Sequence, residues 1–209
     1  MEHNTFFRRA AALVLTLVFA AAAALQGLAV YPMPIQTASE TEAVYLFNAD
    51  TGKTLLTQNA DQPRYVASLT KMMTALLLLE SGKDLNGEVT VPTDLTQEFK
   101  DIQNANGTTM GLRIGETVRR IDLLNALLIT SANDAASVIA WDVGGSLNAF
   151  IQQMNARAAE LGCTSATFTC AHGLYDYGNV ASAEDMAKIA AACAANETFA
   201  QVAGSTTYT

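Results

Sequence analysis

The residues of this chain with the clearest chemical potential are a serine and a lysine three positions apart, Ser68 and Lys71. They lie in the segment YVASLTKMMTALLLLE, residues 65–80, whose apolar residues have the pattern of a buried helix. Side chains three residues apart project from the same face of a helix, so these two can touch. A serine hydroxyl becomes a good nucleophile when a neighbouring base removes its proton, and the spacing points to Lys71 as that base.

The position of Lys71 suggests how a lysine could act as a base. A cation in the first turn faces the positive end of the helix dipole, and burial among leucines and methionines removes its hydration. Both effects lower the pKa of an ammonium group, so Lys71 should lose its proton more readily than an exposed lysine. In the alternative interpretation, Ser68 only caps the helix and Lys71 extends to solvent.

A second candidate site lies in LLITSANDAAS, where Ser131 and Asn133 fall between two predicted helices. In the functional interpretation, Ser131 passes a proton between Lys71 and a leaving group, while the Asn133 amide holds a substrate carbonyl. In the structural interpretation, Ser131 and Asp134 form a capping box at the start of a helix. The spacing alone does not choose between the two.

Composition argues against several other kinds of site. The net charge is −8 and no basic patch is present, so a nucleic acid is not an expected partner. The only histidines are His3 and His172, and no G-x-S-x-G turn occurs, so a Ser-His-Asp triad is not expected.

The chain has three cysteines, Cys163, Cys170 and Cys193. An odd number allows at most one intramolecular disulfide, and Cys163 and Cys170 could form it. Their spacing fits no compact zinc motif, so no metal is expected.

The elements that must hold these residues are a few strands followed by helices. Residues 43–47 and 54–58 flank a turn rich in Asn, Asp and Gly, which predicts a hairpin, and EVTVP predicts a short strand. Residues 68–80 are predicted to be helical. Further helices are predicted at RRIDLLNALLIT, SANDAASVIAWDVGG, SLNAFIQQMNARAAELG and SAEDMAKIAAACAAN, the last capped by Ser182. A helix-rich chain with strands near its start indicates an α+β fold.

The N-terminus has the composition of an export signal. Arg8 and Arg9 precede an apolar run over residues 10–25, and small residues near Ala29 suit cleavage after it. The chain is therefore predicted to divide into a signal peptide (residues 1–29), a linker (30–40) and one domain (41–209). We expect the protein to be exported and extracytoplasmic, with an uncleaved, membrane-anchoring signal as the alternative.

Taken together, the motifs resemble the serine-type D-alanyl-D-alanine carboxypeptidases, the low-molecular-mass penicillin-binding proteins of peptidase family S11. ASLTKMMTALLLLE resembles the S-x-x-K helix of the family, and SANDAAS resembles its S-x-N element. GLRIGETV, FIQQMNARAAELG and AHGLYD…ASAEDMAKIA are similar to its connecting segments, in the same order. The resemblance covers nearly everything after the signal and implies a β-lactamase/transpeptidase-like fold, in which a helical cluster packs on an antiparallel sheet.

The resemblance also implies a role for each candidate residue. Ser68 would be the acylated nucleophile, Lys71 the base for acylation, Ser131 a proton relay and Asn133 the group that orients the substrate amide. The implied substrates are peptidoglycan stem peptides ending in D-Ala-D-Ala, with β-lactams as acylating inhibitors and no metal or organic cofactor. The alternatives are a class A-like serine β-lactamase, an endopeptidase acting on cross-links, and a non-catalytic wall-binding or regulatory homologue.

One motif that the resemblance requires is missing. The family places K-T-G or K-S-G on a strand beside the nucleophile, where its lysine attracts the terminal carboxylate of the substrate. The lysines after Lys71 are Lys83, Lys100 and Lys188, and they are followed by Asp, Asp and Ile. We therefore expect a C-terminally truncated family member without the later sheet strands, weakly active or inactive, marginally folded, and with apolar helix surface uncovered. Membrane association would come from an uncleaved signal or from an anchor in the missing part.

Overall fold

The computed structural model describes residues 39–174 and 176–208. The predicted signal peptide, residues 1–29, and residues 30–38 of the predicted linker lie outside this part of the chain. The described part contains seven α-helices and three pairs of short strands, so the predicted α+β class is confirmed. Among the residues described, no helix is both long enough and apolar enough to cross a membrane.

A cluster of helices forms the body of the described part. The helices are α1 (Thr70–Glu80), α2 (Thr96–Asn104), α3 (Arg120–Ile129), α4 (Asn133–Gly144), α5 (Leu147–Glu160), α6 (Ala183–Ala194) and α7 (Glu197–Ala203). Helix α1 lies at the centre, because it packs against α3, α4, α5, α6 and α7. Met73, Leu76 and Leu78 of α1 are almost fully buried. A helix that is apolar on most sides belongs in a core, and the composition of α1 explains its central place.

The strands form three antiparallel pairs. Strands β1 (Val44–Phe47) and β2 (Thr54–Gln58) make the predicted hairpin, which contains an irregularity between Leu46 and Phe47. Strand β3 (Arg64–Tyr65) pairs with β6 (Val180–Ala181), and β4 (Glu88–Thr90) pairs with β5 (Thr117–Arg119). These last two pairs connect distant parts of the chain, so each one closes a long loop.

The predicted helices are confirmed, with small differences at their ends. Helix α1 begins at Thr70, because Ala67–Leu69 form a separate 3₁₀ turn that carries Ser68. Ser182 is the N-cap of α6 and accepts a hydrogen bond from the Asp185 N–H, as predicted. Helices α2 and α7 were not predicted. Helix α2 has the sequence TQEFKDIQN, in which only Phe99 and Ile102 are apolar, and one such pair is too little to predict a helix from the sequence.

The irregular segment between α5 and α6 is hydrogen-bonded to two threonines in the first turns of α1. Thr74 Oγ1 donates a hydrogen bond to the carbonyl oxygen of Ala171 at 2.6 Å, in the buried interior. Asn179 Nδ2 donates to Thr70 Oγ1 at 2.8 Å, also in the interior. Both bonds satisfy polar groups that are buried away from water, so they hold this irregular segment against α1.

Gly173 lies at the tightest point of this contact. Its φ is +80°, and a β-carbon at this position would overlap the carbonyl oxygen of Ala67 and lie 2.8 Å from Thr70 Oγ1. Only glycine lets the segment approach the turn that carries Ser68 so closely.

An open apolar groove of about 730 Å³ lies between β1 and α6. Tyr45 and Phe47 line it from β1, Met72 lines it from α1, and Met186 lines it from α6 together with several alanines. Apolar surfaces of this extent commonly mark a place where another element packs. The groove adjoins the hairpin, where uncovered apolar helix surface is predicted from the sequence.

We expect Gly173→Ala to lower the free energy of unfolding by at least about 3 kcal/mol, because steric overlap adds to the cost of positive φ. Gly145→Ala is the matched control: Gly145 has φ +74°, but a β-carbon there would meet nothing within 4 Å. The control should lose about 1 kcal/mol. Urea unfolding measures both changes, and equal losses would show that the close approach at Gly173 is unimportant.

Candidate active site

The structure brings together all four residues that the sequence singles out. Lys71 Nζ lies 3.3 Å from Ser68 Oγ, and Ser131 Oγ donates a hydrogen bond to Ser68 Oγ at 3.0 Å. Lys71 Nζ also donates to Asn133 Oδ1 at 2.8 Å. A hydroxyl in contact with both an amine and a second hydroxyl has a route by which its proton can leave and later return.

Ser68 is exposed on the 3₁₀ turn and does not cap the helix. The N-cap residue of α1 is Leu69, which makes no side-chain capping bond, so the capping interpretation of Ser68 is wrong. The preceding residue, Ala67, has φ +46°, in the left-handed region that residues other than glycine seldom occupy. This unusual turn places the Ser68 hydroxyl at the N-terminus of α1, in contact with the buried Lys71 amine.

Lys71 is buried, so the interpretation in which it extends to solvent is wrong. The residue is only 3% exposed. Its ammonium donates to Asn133 Oδ1 at 2.8 Å and to the carbonyl oxygen of His172 at 2.6 Å. Burial lowers the pKa of Lys71 to about 8, although the negative charge of Cys170 acts in the opposite direction. At pH 7, about a tenth of the molecules would then carry an uncharged Lys71.

Ser131 and Asn133 are placed by the turn that joins α3 to α4. Ser131 has φ +58°, and the N-cap of α4 is Ala132, without a side-chain capping bond. The predicted capping box is therefore wrong, and the Ser131 hydroxyl is turned to Ser68 instead. Both polar atoms of the Asn133 side chain are bonded. Oδ1 accepts from Lys71 Nζ, and Nδ2 donates to the carbonyl oxygen of Thr108 at 2.9 Å.

Asp134 holds the loop that supports this turn. Its carboxylate accepts hydrogen bonds from three successive backbone N–H groups, those of Met110, Gly111 and Leu112, each at 3.0 Å. Asp134 was assigned to a capping box from the sequence, because its spacing from Ser131 fits that motif. The structure gives the carboxylate a longer-range role that local spacing could not reveal.

His172 and Glu98 form a partly buried pair beside Lys71 that sequence reasoning missed. His172 Nε2 lies 3.0 Å from Glu98 Oε1, and its Nδ1 accepts a hydrogen bond from the Leu174 N–H. Glu98 also accepts a hydrogen bond from Ser137 Oγ at 2.9 Å. The pair fixes the segment whose carbonyl oxygen binds Lys71. No local pattern connects positions 98 and 172, so only the three-dimensional structure reveals it.

All three cysteines are free, so the Cys163–Cys170 disulfide is not formed. Cys193 is buried, whereas Cys163 and Cys170 are partly exposed. Within the described part of the chain, no group of three or more His, Cys, Asp or Glu side chains could hold a metal ion.

This arrangement of a serine, a lysine and a second serine is of the kind found in serine acyl-transfer proteins that use a lysine as the base. A family described as D-alanyl-D-alanine carboxypeptidase, peptidase family S11, matches residues 32–208. The chain belongs to this family.

The names of similar curated proteins agree with this family assignment. The chain is 32% identical over 155 residues to D-alanyl-D-alanine carboxypeptidase DacF of Bacillus subtilis, covering 74% of this chain and 39% of the relative. It is 31% identical over 157 residues to a D-alanyl-D-alanine endopeptidase of Pseudomonas aeruginosa, covering 75% of this chain and 48% of the relative. It is 33% identical over 212 residues to a D-alanyl-D-alanine carboxypeptidase of Streptomyces sp. K15, covering 97% and 71%. The chain thus spans less than half the length of the first two relatives.

Solved structures support the fold. The crystal structure of the Streptomyces K15 DD-transpeptidase matches with a TM-score of 0.70 and 32% identity, over 76% of this chain and 62% of that one. A D-alanyl-D-alanine carboxypeptidase from Mycobacterium tuberculosis H37Rv matches with a TM-score of 0.68 and 29% identity, over 80% and 64%. The predicted β-lactamase/transpeptidase-like fold is therefore confirmed for the part of the domain that this chain contains.

We expect NMR titration of lysine side chains to place the pKa of Lys71 near 8, because burial disfavours its charged form. Lys188 is the internal control. Burial disfavours its charge as well, but the hydrogen bond to Glu184 and the nearby carboxylates raise its pKa above the ordinary lysine value. If both lysines titrated together, burial would not be controlling Lys71.

Proposed function

We propose that this chain is the acylating part of a serine-type D-Ala-D-Ala carboxypeptidase that works through an acyl-enzyme on Ser68. The contacts of Ser68 Oγ with Lys71 Nζ at 3.3 Å and Ser131 Oγ at 3.0 Å carry the proposal. Family membership and the names of the curated relatives support it.

In acylation, uncharged Lys71 takes the proton of Ser68 as its oxygen attacks the carbonyl carbon of the penultimate D-Ala. The carbonyl becomes a tetrahedral oxyanion, and then the peptide bond to the last D-Ala breaks. Ser131 then passes the proton from Lys71 to the departing amine in this proposal, and the contact of its hydroxyl with Ser68 Oγ supports that role. Water then hydrolyses the ester, which releases the shortened stem peptide and restores Ser68.

Asn133 is proposed to orient the substrate amide. Its Oδ1 binds Lys71 and one N–H binds Thr108. An amide nitrogen carries two donors, so a second N–H remains for a substrate carbonyl. Lys71 and Thr108 fix the plane of the Asn133 side chain, which limits the entropy lost when a substrate binds.

The proposed partners are peptidoglycan stem peptides ending in D-Ala-D-Ala, with β-lactams as inhibitors that acylate Ser68. An exported, extracytoplasmic location follows from the predicted signal over residues 1–29. Cleavage of cross-links is the second candidate activity, because a relative 31% identical to this chain is named an endopeptidase. Anchoring to the membrane through an uncleaved signal remains a separate proposal.

The 209-residue chain offers no K-T-G or K-S-G sequence for the substrate carboxylate. Lys83 is in an ion pair with Asp142 at 3.4 Å, and Lys188 is in an ion pair with Glu184 at 3.1 Å. Both charges are already compensated, so neither lysine is a good substitute for the missing cation. In this proposal the 209-residue chain supplies the residues for acylation but binds the terminal carboxylate of the substrate only weakly.

We expect Ser68→Ala to abolish covalent labelling by fluorescent penicillin, because the acylated oxygen is removed. Lys71→Ala should slow labelling by at least about 100-fold, because the proposed base is lost. Ser205→Ala is the matched control, since the Ser205 hydroxyl is exposed and bonds only locally to Gln201. Labelling of Ser68→Ala at the unsubstituted rate would reject the nucleophile.

We expect the 209-residue chain to release D-Ala from a D-Ala-D-Ala peptide at least about 100-fold more slowly than the Streptomyces K15 relative. The reason is that an uncompensated cation for the substrate carboxylate contributes on this order to transition-state binding. Chromatographic measurement of released D-Ala gives both rates. Equal turnover would show that the missing cation is not needed.

A further inference from the structure

The two oxygen atoms that bind the Lys71 amine most closely belong to different parts of the fold. Asn133 Oδ1, at the start of α4, accepts a hydrogen bond from the amine at 2.8 Å. The carbonyl oxygen of His172, in the segment before α6, accepts another at 2.6 Å. One amine can bind both oxygens only while α4 and the segment keep a fixed separation. A shift of either element would therefore move the amine relative to Ser68 Oγ, which it contacts at 3.3 Å.

Glu98, on α2, joins these two elements through a single oxygen atom. Its Oε1 accepts a hydrogen bond from Ser137 Oγ at 2.9 Å, and His172 Nε2 lies 3.0 Å from the same atom. Ser137 is fully buried and lies one turn after Asn133 on α4. The first bond thus ties Glu98 to the helix that carries Asn133, and the second ties it to the segment that carries the His172 carbonyl.

The backbone determines which nitrogen of the His172 ring carries the proton. Nδ1 accepts a hydrogen bond from the Leu174 N–H at 3.0 Å, so Nδ1 itself is unprotonated. The single proton of the neutral imidazole is then on Nε2, which donates to Glu98 Oε1. The ring is held at both nitrogens, and rotation of this part of the segment would break at least one of these bonds.

These contacts, together with one turn of α4, form a closed ring around the amine. Its members are Lys71, Asn133, Ser137, Glu98 and His172. Four of them are buried, whereas the Glu98 side chain is 23% exposed. In a buried hydrogen-bond network each bond supports the others, so the loss of one member weakens the whole network. Glu98 is the member that can be changed without altering any group that contacts Ser68 or the Lys71 amine.

We propose that Glu98 is a positioning residue for Lys71, whose Oε1 atom holds Asn133 and the His172 carbonyl at the separation that binds the amine. Glu98 acts through Ser137 and His172, since the described contacts of the amine are with Ser68, Asn133 and His172. The consequence for acylation rests on the proposed function. The consequence for the placement of the amine does not, and it can be observed directly.

The proposal assigns this role to an acceptor atom and not to a negative charge. The amide oxygen of a glutamine accepts two hydrogen bonds, so Glu98→Gln keeps the bonds from both Ser137 and His172. A leucine side chain has no acceptor. Glu98→Leu therefore leaves the Ser137 hydroxyl and the His172 N–H without this partner, and the ring opens.

Acylation of Ser68 at increasing penicillin concentrations tests the proposal, because it separates the acylation rate constant from the dissociation constant of the non-covalent complex. We expect Glu98→Leu to lower the rate constant at least about tenfold, because the base is displaced. The dissociation constant should change less than about threefold, because the groups that contact the ligand are unaltered. Glu98→Gln should keep the rate constant within about threefold, because both bonds remain.

Asp101→Leu is the matched control for Glu98→Leu. Asp101 is an exposed acid one turn later on α2, and its carboxylate accepts a hydrogen bond from Gln97 of the same helix at 2.9 Å. This variant should leave both constants unchanged. An unchanged rate constant in Glu98→Leu, or equal losses in Glu98→Leu and Glu98→Gln, would overturn the proposal.

Ser137→Ala covers the case in which Glu98→Leu does not fold, which circular dichroism would show. It removes only the bond between α4 and Glu98, so the rate constant should fall severalfold. A rate constant equal to that of the unsubstituted chain would then overturn the proposal.

NMR of the chain with ¹³C-labelled lysine keeps this proposal distinct from the proposed function. The Cε signal of Lys71, identified by its loss in Lys71→Ala, should move in Glu98→Leu and stay in place in Glu98→Gln, with Lys188 as the internal reference. If penicillin never labels Ser68 but the Lys71 signal moves as expected, only the proposed function is rejected. Normal labelling with an unmoved Lys71 signal in Glu98→Leu would reject only the positioning role.

Discussion

The arrangement of the candidate active site depends on keeping the amine of Lys71 buried away from water. Lys71 is 3% exposed, and transferring an ammonium into such surroundings costs several kcal/mol unless acceptors compensate. Asn133 and the His172 carbonyl supply those acceptors without supplying a full negative charge. The amine is therefore stabilised enough to stay buried, but its charge is not stabilised enough to be permanent. This balance gives Ser68 a neighbour that can exchange protons near neutral pH.

Three separate parts of the chain maintain this balance. Helix α1 supplies Lys71, the first residue of α4 is Asn133, and the segment before α6 supplies the His172 carbonyl. Asp134 holds the loop before α3, while the Glu98–His172 pair holds the segment from the other side. Positive φ values at Ala67 and Ser131 show that the two serine-bearing turns are strained. Such strain persists only because the surrounding helices fix both turns firmly.

Local features of the chain could be predicted well from the sequence. Apolar periods identified α1, α3, α4, α5 and α6, and the Asn-Asp-Gly turn identified the hairpin. The S-x-x-K and S-x-N motifs led to Ser68, Lys71, Ser131 and Asn133, which the structure brings into contact. What could not be predicted depends on contacts between distant positions. The Glu98–His172 pair is separated by 74 residues, and β3 with β6 joins two-residue strands too short to recognise. Ser131 and Asp134 matched a local capping motif, but both side chains bind distant partners.

The most direct test of the central claim is the pH dependence of Ser68 acylation by a slow-reacting penicillin, followed by rapid quenching and mass spectrometry. If a buried Lys71 is the base, the acylation rate should rise with pH as the ammonium loses its proton. It should level off above a midpoint near the Lys71 pKa of about 8. A rate that stays constant across this interval, or a midpoint that survives Lys71→Ala unchanged, would contradict the account.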